Sequence, residues 1–321
     1  MKRLLIAACL ALGAVPCVLL AQVFPVRPVT IVVPYPAGGS SDATIRAIAQ
    51  KLSDMWGQPV LTDNRPGAAT MIGTHYVAKA PADGHTVLFV TDSFAVNPSL
   101  YKNAQYDPLK DFTPITAIAH LNQLIVVHSA VAANTLKELV DYAKANPGKL
   151  NYGSYGAGSP PHLAIELLKH VTGTNLVHIP YKGIAPLSTD LIAGTVQVSI
   201  FGAFTTLPHA KTGRIRPLAI DGDKRSPLLP QVPTFSEAGF PEMRAPAWWG
   251  LVVPAGTPQP VVAKVHRSVN AIIADREFRE TRLIANGLDP IGNTPEQFTT
   301  LIRDTAERWG KFIRESNLQV D

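Results

Sequence analysis

The sequence predicts an α/β protein of two lobes with a ligand cleft between them. Three observations carry this. Apolar strand-like runs alternate with stretches of helical spacing, which implies parallel sheets with helices on their faces. One pattern, a strand followed by a glycine- and serine-rich turn and then a helix, occurs twice, over residues 29–49 and 150–171. Two extended apolar stretches, near residues 122–128 and 248–254, read as crossings by which the chain leaves one lobe and returns to it. The expected division is residues 22–123 with 249–321 for the first lobe and 124–248 for the second.

The chain opens on Lys2 and Arg3, followed by an uncharged apolar run to Leu20. This is the layout of a secretory signal peptide, expected over residues 1–21 with cleavage after Ala21. A signal anchor is the alternative, but the run is short for a membrane span. Both cysteines, Cys9 and Cys17, lie in this leader, so disulfides, thiol nucleophiles and cysteine metal sites are not expected in the mature chain. Pro16 before Cys17 fits a lipid anchor poorly. The formal charge of +5 includes Lys2 and Arg3, which leaves +3 without them. The remaining basic residues are scattered, with no basic run interleaved with aromatics to suggest nucleic acid.

The first strand is Val29-Thr30-Ile31-Val32-Val33. It runs into Pro34-Tyr35-Pro36-Ala37-Gly38-Gly39-Ser40-Ser41-Asp42 and then a helix. Adjacent glycines let the backbone approach a ligand closely. Ser40 or Ser41 is the expected cap, and Asp42 suits the first turn. The free N–H groups and the helix dipole favour an anion there. A second strand (59–62), a loop (63–70), a helix (71–80) and a third strand (85–90) follow. Thr91-Asp92-Ser93 then opens another strand-end loop. Ligands on such sheets sit at the carboxyl ends of strands, which singles out residues 34–42, 62–73 and 91–97.

The second lobe repeats the grammar. Strand 124–128 precedes a helix capped by Asn134 or Thr135. Strand 150–154 leads into Tyr155-Gly156-Ala157-Gly158-Ser159-Pro160-Pro161-His162, with Ser159 as the natural cap and prolines in the first turn. Strands at 176–180, 196–201 and 216–220 follow, with Gly202-Ala203-Phe204 as a further candidate ligand loop. Residues 221–247 read as irregular surface chain. The remainder is helical: 259–274, 277–286 and 295–317.

Catalytic signatures are missing. A nucleophile elbow needs glycines two before and two after its serine, and neither Ser154 nor Ser159 has them. A dinucleotide fingerprint at Gly156 fails at Pro161, and no Walker lysine pattern exists. The histidines show no metal spacing, and no cofactor is expected. Polar, glycine-rich turns without catalytic groups suit holding an anion without transforming it. A secreted hydrolase is the enzyme alternative.

Several segments resemble one family. They are residues 27–42, Asn64-Arg65-Pro66-Gly67-Ala68, Asn97-Pro98-Ser99-Leu100-Tyr101, residues 152–162, His178-Ile179-Pro180-Tyr181-Lys182-Gly183 and Val232-Pro233-Thr234. Together they are similar to the Bug family, the periplasmic solute-binding proteins of tripartite tricarboxylate transporters. The resemblance spans essentially the whole mature chain. It implies a type II periplasmic-binding-protein fold, in which two α/β domains are joined by two crossing strands around the ligand. It also implies a monomeric periplasmic receptor that binds a small carboxylate through amides, hydroxyls and waters and hands it to a membrane permease; a sensory receptor for the same ligands is the alternative. The implied site residues are Tyr35, Ala37, Gly38, Gly39, Ser40 and Asp42, then Thr91 and Ser93, then Ser154, Gly158, Ser159 and His162.

Three positions depart from the family pattern. Gly67-Ala68-Ala69-Thr70 replaces a Gly-Ala-Gly-Gly-type loop. Ser93-Phe94-Ala95 stands where a Thr-His or Ser-His pair is usual. Gly202, followed by Phe204, stands where many relatives carry an Asp that serves a ligand amino group. This predicts a ligand without an ammonium group, an aromatic or aliphatic diacid, with Phe94 and Phe204 either walling the cleft or packing in the core.

Overall fold

The computed structural model describes residues 24–243, 247–316 and 318. The expected leader, with Cys9, Cys17 and its cleavage site, lies outside the described residues.

Two sheets organise the chain. The first is formed by β1 (Val29–Val33), β2 (Val60–Asn64), β3 (Thr86–Thr91), β4 (Phe112–Leu121), β10 (Ala247–Pro254) and β11 (Leu288–Pro290), in the order β11-β4-β10-β3-β1-β2. The second contains β5 (Gln123–His128), β6 (Asn151–Ser154), β7 (Val177–Pro180), β8 (Val198–Gly202) and β9 (Ile215–Ile220), in the order β7-β6-β8-β5-β9. β1, β2 and β3 pair in parallel, as do β6, β7 and β8. β10 is antiparallel to both β3 and β4, and β5 to both β8 and β9. The sheets are therefore mixed, each with a parallel half of the kind the sequence predicts. The chain passes between sheets at Asn122, the single residue separating β4 from β5.

Helices cover the sheets: α1 (Ser40–Trp56), α2 (Met71–Ala78), α3 (Asp92–Leu100), α4 (Leu136–Ala145), α5 (Pro160–Thr172), α6 (Ile184–Ala193), α7 (Ala203–Lys211), α8 (Gln259–Ala274), α9 (Arg276–Phe278) and α10 (Pro295–Glu315). In α1, Ile45, Ile48, Ala49 and Leu52 recur at helical spacing and are all buried against β1 and β2 neighbours such as Ile31 and Val60. Each large aliphatic side chain so buried contributes about 1.5–3 kcal/mol. Gly57 ends the helix in the left-handed region, with its N–H on Ser53 O. α10 begins with a capping box, Thr294 and Gln297 exchanging side-chain and backbone bonds.

Four elements depart from the sequence expectation. β4 and the short β11 are additional strands. α3 begins at Asp92, where a loop was expected, and α7 begins directly after Gly202. Asp92 through Asn97 are all buried, so α3 has no polar face and leaves no amphipathic stripe to read.

The two lobes touch. Val96 and Leu100 of α3 join Leu163 of α5 and Trp309, Phe312 and Ile313 of α10 in one buried apolar cluster. Tyr101 donates its hydroxyl proton to Ala157 O across the junction at 2.7 Å. A Cβ on Gly158 would lie 2.4 Å from Leu100 Cδ2, so glycine is required there for the lobes to approach this closely.

Candidate functional site

The loop from Pro34 to Asp42 connects β1 to α1. Gly38 has φ of 86°, a conformation that favours glycine. Its N–H donates to Asp42 Oδ2 at 2.9 Å. The other carboxylate oxygen of Asp42 accepts from Asn64 Nδ2 at 2.9 Å, and Arg46 Nε donates to Oδ2 at 2.9 Å. Asn64 also reaches Tyr35 O at 3.1 Å. Burial opposes the charge on Asp42, but Arg46, Gly38 and Asn64 together hold its carboxyl below the usual range. Asp42 is thus a scaffold of the loop, and both its oxygens are already occupied. The helix cap is Gly39, not a serine, and no side chain caps it. The first helical bond runs from Ala43 N to Gly39 O, which leaves the N–H groups of Ser40, Ser41 and Asp42 without intrahelical partners. Ser40 is exposed and Ser41 half-buried.

The loop from Tyr155 to Ser159 connects β6 to α5 in the second lobe. Gly158, at φ of 73°, donates its N–H to His162 Nδ1 at 2.9 Å. The device matches the first lobe: a left-handed glycine bonds the side chain four residues on. Here the acceptor is a neutral imidazole. His162 stacks on His178 with ring centroids 4.2 Å apart, and His178 stacks on Tyr152. Burial, with the neighbouring His178, pushes His162 down to about 4. Burial lowers His178 as well. Ser154 Oγ bonds Gly156 O at 2.9 Å and shares a bond with His178 Nε2 at 2.7 Å. Ser159 Oγ donates to Gly156 O at 2.6 Å. These hydroxyls hold the loop in shape. Pro160 and Pro161 have no N–H, and Leu163 N already bonds Ser159 O. In its first turn α5 therefore keeps only the His162 amide for a ligand, against three in α1.

Between the loops lie residues from both lobes. Tyr35 and Thr91 share a hydroxyl bond of 2.8 Å. Burial raises the Tyr35 phenol, and Asp92 adds to the effect. Tyr155, from the second lobe, is raised by burial and by the nearness of Tyr35 and Asp92. Asp92 stands in the first turn of α3, 4% exposed, and burial lifts its carboxyl to about 7, with Asp221 of the second lobe adding to the shift. Asp92 and Tyr155 lie near the candidate site residues and were not among those the sequence offered. Their position at strand ends was the available signal.

Of the two alternatives for the phenylalanines, a cleft wall or core packing, Phe94 takes the second. Phe94 is 1% exposed and stacks on Tyr106, with Phe112 edge-on, inside the first-lobe core. Phe204 is 55% exposed on α7. Helical geometry explains both: position 94 lies on the inward side of α3, and Phe204 follows the buried Ala203, which packs against Gly287 of the first lobe. Gly202 is the half-buried N-cap of α7 and approaches Leu121. Ala37 is exposed and Ser93 buried. Among the described residues no group of three or more His, Cys, Asp or Glu could hold a metal.

Comparison with known proteins agrees with this architecture. Residues 44–318 match the family model described as tripartite tricarboxylate transporter family receptor. The chain is 35% identical to Protein BugT of Bordetella pertussis over 302 residues, 94% of this chain and 92% of that one. A solved structure from R. palustris with adipate superimposes with a TM-score of 0.85 at 35% identity, covering 92% of this chain and 99% of that one. MatC from Rhodopseudomonas palustris with bound malate gives 0.81 at 30% identity, covering 90% and 99%. The two touching α/β lobes agree with this match, and the chain belongs to the Bug-type periplasmic solute-binding proteins of the tripartite tricarboxylate transporter receptor family.

Proposed function

We propose that the protein captures a small organic carboxylate in the periplasm and delivers it to the permease of a tripartite tricarboxylate-type transporter. The observation that carries the reading is the N-terminus of α1. Its first three amides have no intrahelical partner, no side chain caps them, and a buried carboxylate scaffold fixes the loop that presents them. Such a terminus binds anions through its N–H groups and its dipole. The ligand carboxylate is assigned to the amides of Ser40 and Ser41, with Tyr35, Thr91 and Ser93 beside it and Tyr155 closing from the second lobe. The adipate and malate bound by the two similar structures are carboxylates of this size class. The prediction that the ligand lacks an ammonium group loses part of its support, since Phe94 lies in the core.

Ser40→Pro tests the assignment. Proline suits the first helical position and Gly39 is already extended, so the fold tolerates it, while one amide donor is lost. The expected result is unchanged melting without ligand and carboxylate binding weakened roughly tenfold or more, as for a bond to a charged group worth about 1.5–3 kcal/mol. Calorimetric titration reads it. Equal affinity in the variant would place the carboxylate elsewhere.

A further inference from the structure

We infer that the loop of residues 155–159 is an acid-sensitive latch between the lobes: a proton taken by His162 frees the loop from α5 and lets the lobes part. This loop carries the second lobe's side of the junction. Ala157 O accepts the Tyr101 hydroxyl at 2.7 Å. Gly158 lies so close to the first lobe that a Cβ on it would stand 2.4 Å from Leu100 Cδ2 and 2.8 Å from Tyr101 Oη. The same glycine gives its N–H to His162 Nδ1 at 2.9 Å. One hydrogen bond therefore ties the junction loop to a titratable ring.

Only an unprotonated nitrogen accepts, so the neutral His162 ring carries its proton on Nε2. A second proton, on Nδ1, sets two donors against each other and leaves the Gly158 amide without its acceptor. It also places positive charge against the His178 ring, stacked at 4.2 Å. His162 is 4% exposed, so water cannot reach the new charge until the loop moves away. His178 responds differently. Ser154 Oγ gives its proton to Gly156 O, so His178 Nε2 is the donor in its 2.7 Å bond to Ser154. A charged His178 keeps that bond, whereas a charged His162 loses its own.

Ionisable groups on several elements surround the ring. Glu166 and Lys169 of α5 pair at 2.7 Å, Tyr152 of β6 donates its hydroxyl proton to Glu166, His178 comes from β7, and Tyr101 meets the loop from the first lobe. Burial opposes a charge on His162 most strongly and His178 next; Glu166 favours it and Lys169 opposes it. Together they hold the latched ring at about 4, and a ring released into water returns to its ordinary 6.5. Each pH unit below 6.5 then favours the released loop roughly tenfold, until about 4 is reached. Protons thus act on the lobe junction through a single side chain.

Small-angle X-ray scattering of the unliganded protein, from about pH 7.5 down to about 4.5, tests the latch across most of this titration. Far-UV circular dichroism at each pH checks that the fold persists. The radius of gyration is expected to rise as the pH falls while the dichroism holds. His162→Asn keeps an acceptor for the Gly158 amide without titrating and should keep the radius constant; its melting at neutral pH checks the variant. His178→Gln keeps a donor for Ser154 and should still open. Tyr101→Phe weakens the junction without touching the imidazole, and should move opening to higher pH by roughly half a unit to one unit, as for a several-fold loss of closure. A wild-type radius that does not change with pH overturns the inference, and so does opening that persists in His162→Asn. Should His162→Asn fail to fold, Tyr101→Phe decides: an opening pH that does not move overturns the latch. No ligand enters the measurement, so failure of the latch leaves the carboxylate site standing.

Discussion

The loops after β1 and β6 share one construction and differ in one chemical choice. In each, a left-handed glycine turns the chain into a helix and gives its N–H to the side chain four residues on. In the first lobe that side chain is the carboxylate of Asp42, backed by Arg46 and Asn64. In the second it is the imidazole of His162, backed by a stack with His178 and Tyr152. The first then presents three amides, while the second spends two helix positions on proline. The lesson is that symmetry of backbone does not carry symmetry of chemistry: the first loop leaves three helix amides open, and the second leaves one.

Acid should separate the loops most strongly. His162 is held at about 4 against an ordinary 6.5, so the unfolded chain takes the proton first. Its contribution is complete above 6.5, declines as the pH falls, and is gone below about 4, a loss of roughly 3 kcal/mol at about 1.4 kcal/mol per unit. Asp42 is silent in this window, because its depressed carboxyl keeps its charge and its contribution begins to be lost only once the pH falls below 3.8. Urea unfolding across pH should show the decline, and His162→Asn, which keeps an acceptor without titrating, should flatten it. An unchanged slope in that variant would mean the imidazole does not carry the effect.

Asp42→Ala comes next. It leaves the Gly38 amide, the Asn64 amide and a half-exposed Arg46 without their shared acceptor, and should cost about 2 kcal/mol of stability in urea. It should also weaken carboxylate binding, since the α1 loop loses its brace. Full affinity in a folded variant would show that the loop needs no scaffold. Tyr101→Phe removes the hydroxyl bond between the lobes and should shift the closed state by about 1 kcal/mol, seen as a few-fold weaker affinity with the unliganded melting nearly unchanged. The smallest effect is expected from Pro161→Ala, which returns one amide to α5. Affinity should hold or tighten slightly. A marked loss would mean the prolines themselves shape the contact.

Much of the scaffold was legible in the sequence. Four of the five residues from Val29 to Val33 are apolar and buried, as a parallel strand covered on both faces requires. The paired glycine turns were visible as glycine followed by a helix with a capping pattern. α3 was not legible, because its first six residues, polar and apolar alike, are all buried and leave no periodicity to detect. Asp42 and His162 stand where a ligand group could be, and only three-dimensional neighbours show that each also accepts a glycine amide within its own loop.

The sequence by itself determined two α/β lobes, their paired strand-end loops and the anion-favouring start of α1, since these follow from local spacing and backbone chemistry. Only the tertiary structure decided which polar groups remain for a ligand. That depends on contacts between residues far apart in the chain: Asn64 on Asp42, and His178 on His162. A side chain's availability is set by what it already bonds and how deeply it is buried, and neither is written in local sequence.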